Sequence, residues 1–328
     1  MGRSRLSAAI DEGSFIVPDI GAVAVFGAPP DYDLSELADC SVNLVSPFRP
    51  WFDAWSQRRV AVAADPPESA SAAIIVLPRE RRLARAWIVK AIRLLPEGGP
   101  IWIDGHKKDG VDAVLKECRS IFEIGTVISL AHGKIFGFSA GPLPDDWSDA
   151  PRRVAARFLV PPGSFSADAI DPGSAALVEV LPHDLAGSVA DLGSGWGYLS
   201  AEIIASTKLS EIHLFDANHD ALAASRENVN DARAQFHWAD VPNLPADPRF
   251  DAVVTNPPFH TGRKGDPELG RAFIRAASQI LKPAGSLWLV ANRHLPYESA
   301  LDEGFGRVEL VNGAAGFKVF HATRPRRR

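Results

Sequence analysis

The sequence predicts two tandem α/β domains, each a sheet with helices on both faces, descended from one duplicated unit. Three observations carry this. Strand-like and helix-like runs alternate along the chain, the pattern of a sheet covered by helices. A long internal repeat relates the two halves. A glycine-dense turn in the second half joins an apolar strand to a helix, and open α/β sheets receive ligands at such strand ends.

Composition sets the bounds. The chain has 328 residues, 46% apolar and 23% charged, which is room for two domains of ordinary size. No apolar run approaches the roughly 20 residues that span a bilayer. The opening "MGRSRLSAAIDEG" lacks the apolar core of an export signal, so export is not expected, and with no spanning run no membrane partner is expected either. Cys40 and Cys118 have neither metal-knuckle nor disulfide-framework spacing, so they predict free thiols in a reducing cytoplasm and no metal site. A net charge of −5 does not advertise a nucleic-acid binder, but local patches matter more than the sum.

The repeat is long. "LARAWIVKAIRLLPEGGPIWI", from Leu83, aligns without gaps on "LGRAFIRAASQILKPAGSLWL", from Leu269. Identities include Leu83/Leu269, Arg85/Arg271, Ala91/Ala277, Gly99/Gly285 and Trp102/Trp288. Each copy reads as an amphipathic helix, a glycine turn and an apolar strand. "IIVLP" precedes one copy and "VVTNP" the other, which sets Leu77 against Asn256. The offset of 186 residues, Leu83 to Leu269, is far too long for a solenoid. The stretch Gly141 to Pro151, rich in Pro, Gly and Asp, marks the boundary and predicts domains 1–144 and 145–328.

In the first half, "VAVFGAPPDYD" (Val23 to Asp33) stands where the second half has its glycine loop, and it keeps only Gly27 of that loop. Ser46 replaces Asp216, and Leu77 replaces Asn256. Packing residues persist while chemistry-bearing ones change. The first domain is therefore expected to bind no cofactor and to serve as scaffold or RNA-docking surface. Arg79, Arg81, Arg82, Arg85, Lys107 and Lys108 are available there for phosphates, or as a plain solvated face.

The second half carries the chemistry. After Asp191, the glycines Gly193, Gly195 and Gly197 let a ligand approach backbone that a Cβ would block, and the loop opens into a helix N-terminus. A plain strand-to-helix turn and a dinucleotide-binding turn are the alternatives. Asp216, at the end of the next strand, is placed to accept from both ribose hydroxyls of an adenosine. Asp240, after the third strand, is placed to accept from an adenine amine, with a surface acid as the bland alternative. "VVTNPPFH" then ends a fourth strand, because prolines supply no ladder donor. An amine on a planar ring is a poor nucleophile, since its lone pair is delocalised. The Asn256 side-chain oxygen and the Pro257 carbonyl can accept its two N–H bonds. Pro257 and Pro258 stiffen the turn, and Phe259 offers a face for stacking.

Taken together, "DLGSGWG", "LFDAN", "WAD" and "NPPFH" resemble a class I S-adenosylmethionine-dependent methyltransferase of the amino-group-modifying type. The G-x-G-x-G spacing fits that family better than the G-x-G-x-x-G of dehydrogenases. Upstream, "PPGSFSADAIDPGSAALVEVLP" (Pro161 to Pro182), with "VTNPPFHTG" and "LVANRHLPYE" further on, resembles the bacterial ribosomal RNA guanine-N2 methyltransferases, the RsmC/RlmG group. The resemblance implies two tandem Rossmann-like methyltransferase domains, the N-terminal one degenerate and the C-terminal one catalytic. It implies S-adenosylmethionine as cofactor, held by Asp191, Gly193, Gly195, Gly197, Asp216, Asp240 and Asn256, with catalysis by Asn256, Pro257, Pro258 and Phe259. The substrate would be a guanine of ribosomal RNA, the small subunit favoured, and the enzyme a cytoplasmic monomer. Phe165, His260, Arg263, Lys264 and Lys318 are the expected RNA contacts, and the tail Arg324 to Arg328 is a further phosphate-binding or solubilising segment. Ala167 departs from the arginine often found in that group's "FSRD". The same amine chemistry on adenine N6 of DNA or RNA, or on protein glutamine, is the alternative, and a non-catalytic ribosome assembly factor the second.

Overall fold

Aliphatic runs too short for helices form the strands, and the computed structural model describes residues 3–18, 21–247, 249–258, 267–311 and 316–326. The chain divides into two units, Met1–Ala150 and Pro151–Arg328. The division lies beyond 144 because the stretch before Pro151 belongs to the first core. Trp147 is buried there and meets the Phe122 ring edge-on at 6.1 Å, and Arg93 pairs with Asp149 at 2.7 Å. No helix among the described residues is long and apolar enough to cross a membrane.

The first unit contains β1 (Ala22–Phe26), β2 (Ser41–Val45), β3 (Val62–Ala63), β4 (Ala72–Val76), β5 (Pro100–His106), β6 (Val127–Leu130) and β7 (Gly133–Ser139). They form one sheet in the order β3-β2-β1-β4-β5-β7-β6, with β7 antiparallel to both neighbours. Its helices are α1 (Arg5–Asp11), α2 (Arg49–Gln57), α3 (Arg81–Leu94) and α4 (Val111–Cys118). Val23 to Phe26 are wholly buried, as a central strand covered on both faces requires. Helix α3 starts where the Glu80 carboxylate accepts from the N–H groups of Arg82 and Leu83, and it buries Ala84, Trp87, Ile88 and Ala91 at helical spacing.

The second unit opens with a hairpin, β8 (Arg152–Val154) and β9 (Phe158–Val160), and α5 (Pro172–Val178). The sheet follows: β10 (Gly187–Leu192), α6 (Tyr198–Ile203), β11 (Leu209–Asp216), α7 (His219–Asn228), β12 (Ala234–Trp238), β13 (Phe250–Thr255), α8 (Pro267–Ile280), β14 (Leu281–Asn292), α9 (Glu298–Gly304), β15 (Phe305–Val311) and β16 (Phe317–Pro325). Its order, β12-β11-β10-β13-β14-β16-β15, repeats that of the first sheet strand for strand, and β16 is again antiparallel to both neighbours.

The two sheets are equivalent in detail. The N–H of Gly27 donates to Val45 O at 3.0 Å, and that of Gly193 to Phe215 O at 2.8 Å. A ring from the helix after the fourth strand sits over each glycine. A Cβ on Gly27 would lie 2.3 Å from Trp87, and one on Gly193 would lie 3.1 Å from Phe273. Register corrects one expectation. Phe26 faces Ile75, and Leu192 faces Thr255, so Val76 rather than Leu77 occupies the place of Asn256. A gapless match of two aliphatic runs is blind to a one-residue slip, whereas the ladder is not. Ser46 does fall where Asp216 stands, directly after the Val45 and Phe215 equivalents.

At the carboxyl end of β5 the first unit buries Asp104 against Arg5 and against the Tyr32 hydroxyl, 3.0 Å away. Burial, and then the Asp104 charge, push the Tyr32 hydroxyl well above its ordinary range. Of the cations foreseen as phosphate contacts, Arg79 is paired with Asp109, and Arg81 and Arg85 share Glu117. Lys107 and Lys108 are exposed. Cys40 and Cys118 are free thiols, and burial raises that of Cys118 to about 12.

Candidate active site

In the second unit β10, β11, β12 and β13 are parallel neighbours, so Asp191, the glycine loop, Asp216, Asp240 and Asn256 reach one edge of the sheet. The loop bends sharply back over β11. The N–H groups of Gly193 and Ser194 both donate to Phe215 O, at 2.8 and 3.0 Å. Gly193, Gly195 and Gly197 have φ of +72°, +54° and +90°, the left-handed region that favours glycine. A Cβ on Gly197 would press on Ser225 and Val229, each 3.0 Å away, whereas one on Gly195 would meet nothing within 4 Å. Gly197 thus permits packing, while Gly195 leaves bare backbone facing open space.

Asp191 is wholly buried, and its Oδ2 accepts from the Ser200 hydroxyl at 2.7 Å. Burial raises its carboxyl to about 7, against the pull of the Ser200 bond and helped by the nearby Asp216 charge. Asp216 accepts the Gly195 N–H on Oδ2 and the Asn218 N–H on Oδ1, each at 2.7 Å. The Ala217 N–H also bears on this carboxylate, and three donors leave at least one lone pair for a hydroxyl. Burial raises this carboxyl too, opposed by those backbone donors. Asp240 is half-buried, and its Oδ2 accepts from Asn243 Nδ2 at 2.7 Å.

Asn256 follows β13 and is held from a distance. Its Nδ2 donates to Asp171 Oδ2 at 2.8 Å and to Ser174 Oγ at 2.9 Å. A carboxylate only accepts, so the amide must present its nitrogen to Asp171, and the planar group then turns Oδ1 the other way. Oδ1 has no donor among the described residues. Pro257 is buried beside it, Pro258 is exposed, and the Thr255 hydroxyl before it is tied to Leu192 O at 2.7 Å. Phe259, His260, Arg263 and Lys264 lie outside the described residues.

Phe165 is 58% exposed, and its carbonyl accepts from Trp196 Nε1 of the glycine loop at 3.0 Å. Lys318 reaches the same edge, but its side chain is only 14% exposed, and its ammonium donates to Leu295 O at 2.9 Å and to Glu298. The structure thus pairs this cation within the unit. Sequence reasoning also gave no role to Asn228, whose amide bonds to Leu159 N, Leu159 O and Trp196 O, clamping the loop to β9. Nor did it assign one to Asp171 and Ser174. "DPGS" is legible as a helix start, with a capping acid and proline at the first position, but nothing local links it to Asn256.

The fit to a bound adenosyl cofactor rests on what these residues leave unsatisfied. Asp191 Oδ1 and Ser194 Oγ are buried and lack a hydrogen-bond partner among the described residues, at a loop whose middle glycine is bare. Native interiors rarely leave such atoms unpaired. The residues present suit a ligand with polar groups at the loop and vicinal hydroxyls at Asp216.

The chain matches the methyltransferase small domain family over residues 155–321. It is 30% identical over 265 residues to a Hahella chejuensis protein named ribosomal RNA small subunit methyltransferase C, with 76% of each chain covered. A Pseudomonas entomophila protein of the same name is 30% identical over 267 residues, covering 77% of this chain and 79% of that protein. Among solved structures, the T. thermophilus 16S rRNA N2 G1207 methyltransferase, in complex with AdoMet and guanosine, superposes with a TM-score of 0.78 at 27% identity. That likeness covers 94% of this chain and 90% of the other, so it spans both units.

Proposed function

This chain belongs to the methyltransferase small domain family, and from that premise we propose that it transfers the methyl group of S-adenosylmethionine to the exocyclic N2 amine of a guanine in small-subunit ribosomal RNA. The observation that carries the reading is the Asn256 amide, locked by Asp171 and Ser174 so that Oδ1 is offered at the strand end. The names of the curated relatives, and the guanosine in the T. thermophilus complex, support guanine over other planar amines.

The cofactor, when bound, supplies an electrophilic methyl on a good leaving group, so the protein's task is mainly positioning. Asp216 would hold the ribose hydroxyls, Asp240 the adenine amine, and the Gly193–Gly197 backbone the remainder. Asn256 Oδ1 and the Pro257 carbonyl accept the two N–H bonds of the guanine amine, which fixes the nitrogen and directs its lone pair. These acceptors are set before substrate arrives, the arrangement that lowers a barrier most. A paired base cannot reach them, so the target nucleotide is looped out or flipped. The protein acts in the cytoplasm as a monomer in this reading.

Labelled cofactor offered separately with small subunits, large subunits, naked ribosomal RNA, duplex DNA and release factor tests the proposal. N2-methylguanosine in small-subunit RNA is the expected product. Label confined to DNA, protein or the large subunit would sink it. Asn256→Ala is expected to lower kcat about 100- to 1,000-fold while cofactor affinity, read by calorimetry, stays within a few-fold.

A further inference from the structure

The lead-in turn before α5 is tied to the reacting edge more closely than a helix cap requires. Asp171 Oδ2 accepts twice, from its own helix at Ser174 N (2.7 Å) and from Asn256 Nδ2 (2.8 Å). Ser174 Oγ accepts the same amide at 2.9 Å, and Ser174 is 8% exposed. Both protons of the Asn256 amide nitrogen are thereby assigned. The turn is also shaped for this approach. A Cβ on Gly173 would stand 2.9 Å from the Phe317 ring and 3.0 Å from Asp171 Oδ2, so only glycine lets the carboxylate and the ring close on that backbone.

We propose that Asp171, assisted by Ser174, is the positioning residue for Asn256: its carboxylate fixes the amide with Oδ1 toward the substrate amine and polarises that oxygen. The second effect follows from amide resonance. A hydrogen bond from Nδ2 to an anion draws the nitrogen lone pair toward the carbonyl, which makes Oδ1 a stronger acceptor. A neutral acceptor at 171 would hold the orientation with less polarisation. A side chain that caps the helix but does not reach Asn256 would give neither. This rests on the reading of Asn256 as acceptor of the amine.

The test uses the whole protein with Asp171→Ser, Asp171→Asn and Asp171→Ala, each with Asn256 intact and with Asn256→Ala. Serine and asparagine cap helices as well as aspartate does, so these two variants separate capping from positioning. Asp171→Ser is expected to keep its melting temperature and its cofactor affinity, and to lose about 10- to 100-fold in kcat with little change in KM for RNA. Asp171→Asn falls between it and the wild type. In the Asn256→Ala background neither substitution costs further activity, because residues that act through one group are not additive. A second readout does not depend on turnover. With nitrogen-15 asparagine, the Asn256 side-chain amide protons exchange slowly in the wild type and rapidly in Asp171→Ser.

Wild-type kcat in Asp171→Ser would reduce the carboxylate to a cap and overturn the proposal. So would an undiminished loss in the Asn256→Ala background, or amide exchange that Asp171→Ser leaves unchanged. A wild type that methylates no guanine, yet whose Asn256 amide is freed by Asp171→Ser, refutes the reaction assigned above and leaves the positioning intact.

Discussion

Asp191 shows what a buried acid at a cofactor loop does to the empty protein. Its carboxyl lies at about 7, raised from 3.8 chiefly by burial. The folded state therefore holds this proton more tightly than the unfolded chain does. The stabilising contribution is full below the unfolded value and is lost as pH rises through the folded one. The cofactor-free protein should lose melting temperature between about pH 4 and pH 7, by several degrees from this group. Asp191→Asn should flatten that fall and melt higher than the wild type at about pH 8, while binding the cofactor poorly. Thermal melts across a pH series check both. A variant that melts lower than the wild type at every pH would show that the charged form is not the destabilised one. Asn256 presents the complementary case, a neutral group whose usefulness depends on which of its two ends is tied.

At the scale of elements, the glycine loop separates two reasons for glycine. Gly197 is φ +90° and closely packed, and Gly195 is φ +54° beside open space. Gly197→Ala should cost about 1–2 kcal/mol of stability, from backbone strain together with the clash at Ser225. Gly195→Ala should cost about 1 kcal/mol or less but weaken cofactor affinity at least tenfold; urea unfolding and calorimetry distinguish the two. The glycines were readable because backbone freedom is written in residue type. The hairpins were not. The β6–β7 turn uses Ala131 and His132 at φ +48° and +57°, and the β8–β9 turn uses Ala155 and Ala156 at +49° and +55°. Such turns normally advertise themselves with Asn-Gly or Asp-Gly. Alanine and histidine carry no such signal, so nothing in the sequence marks β8 and β9, which pack Phe158 against Trp196.

For the molecule as a whole, duplication explains two sheets of identical order that differ in chemistry. The first unit keeps the glycine under the helix ring, Gly27 beneath Trp87, but places Val76 and Ser46 where the second has Asn256 and Asp216. One cofactor per chain is the expected stoichiometry, and Asp216→Ala should abolish all of the heat of binding in titration calorimetry. A second, unaffected binding event would mean that the first unit is not silent.

The alternation of strands and helices, the duplication, the glycine loop and the Asn-Pro-Pro end of β13 are legible in the amino-acid order alone. These depend on hydrophobic period and on the backbone limits of glycine and proline, both of which are local properties. That Val76 rather than Leu77 matches Asn256, that Lys318 pairs with Glu298, and that Asp171 bonds Asn256 emerge from the folded chain alone. Each of those depends on a pairing between residues far apart in the chain, where ladder hydrogen bonds and the burial of charge, rather than residue type, select the partner.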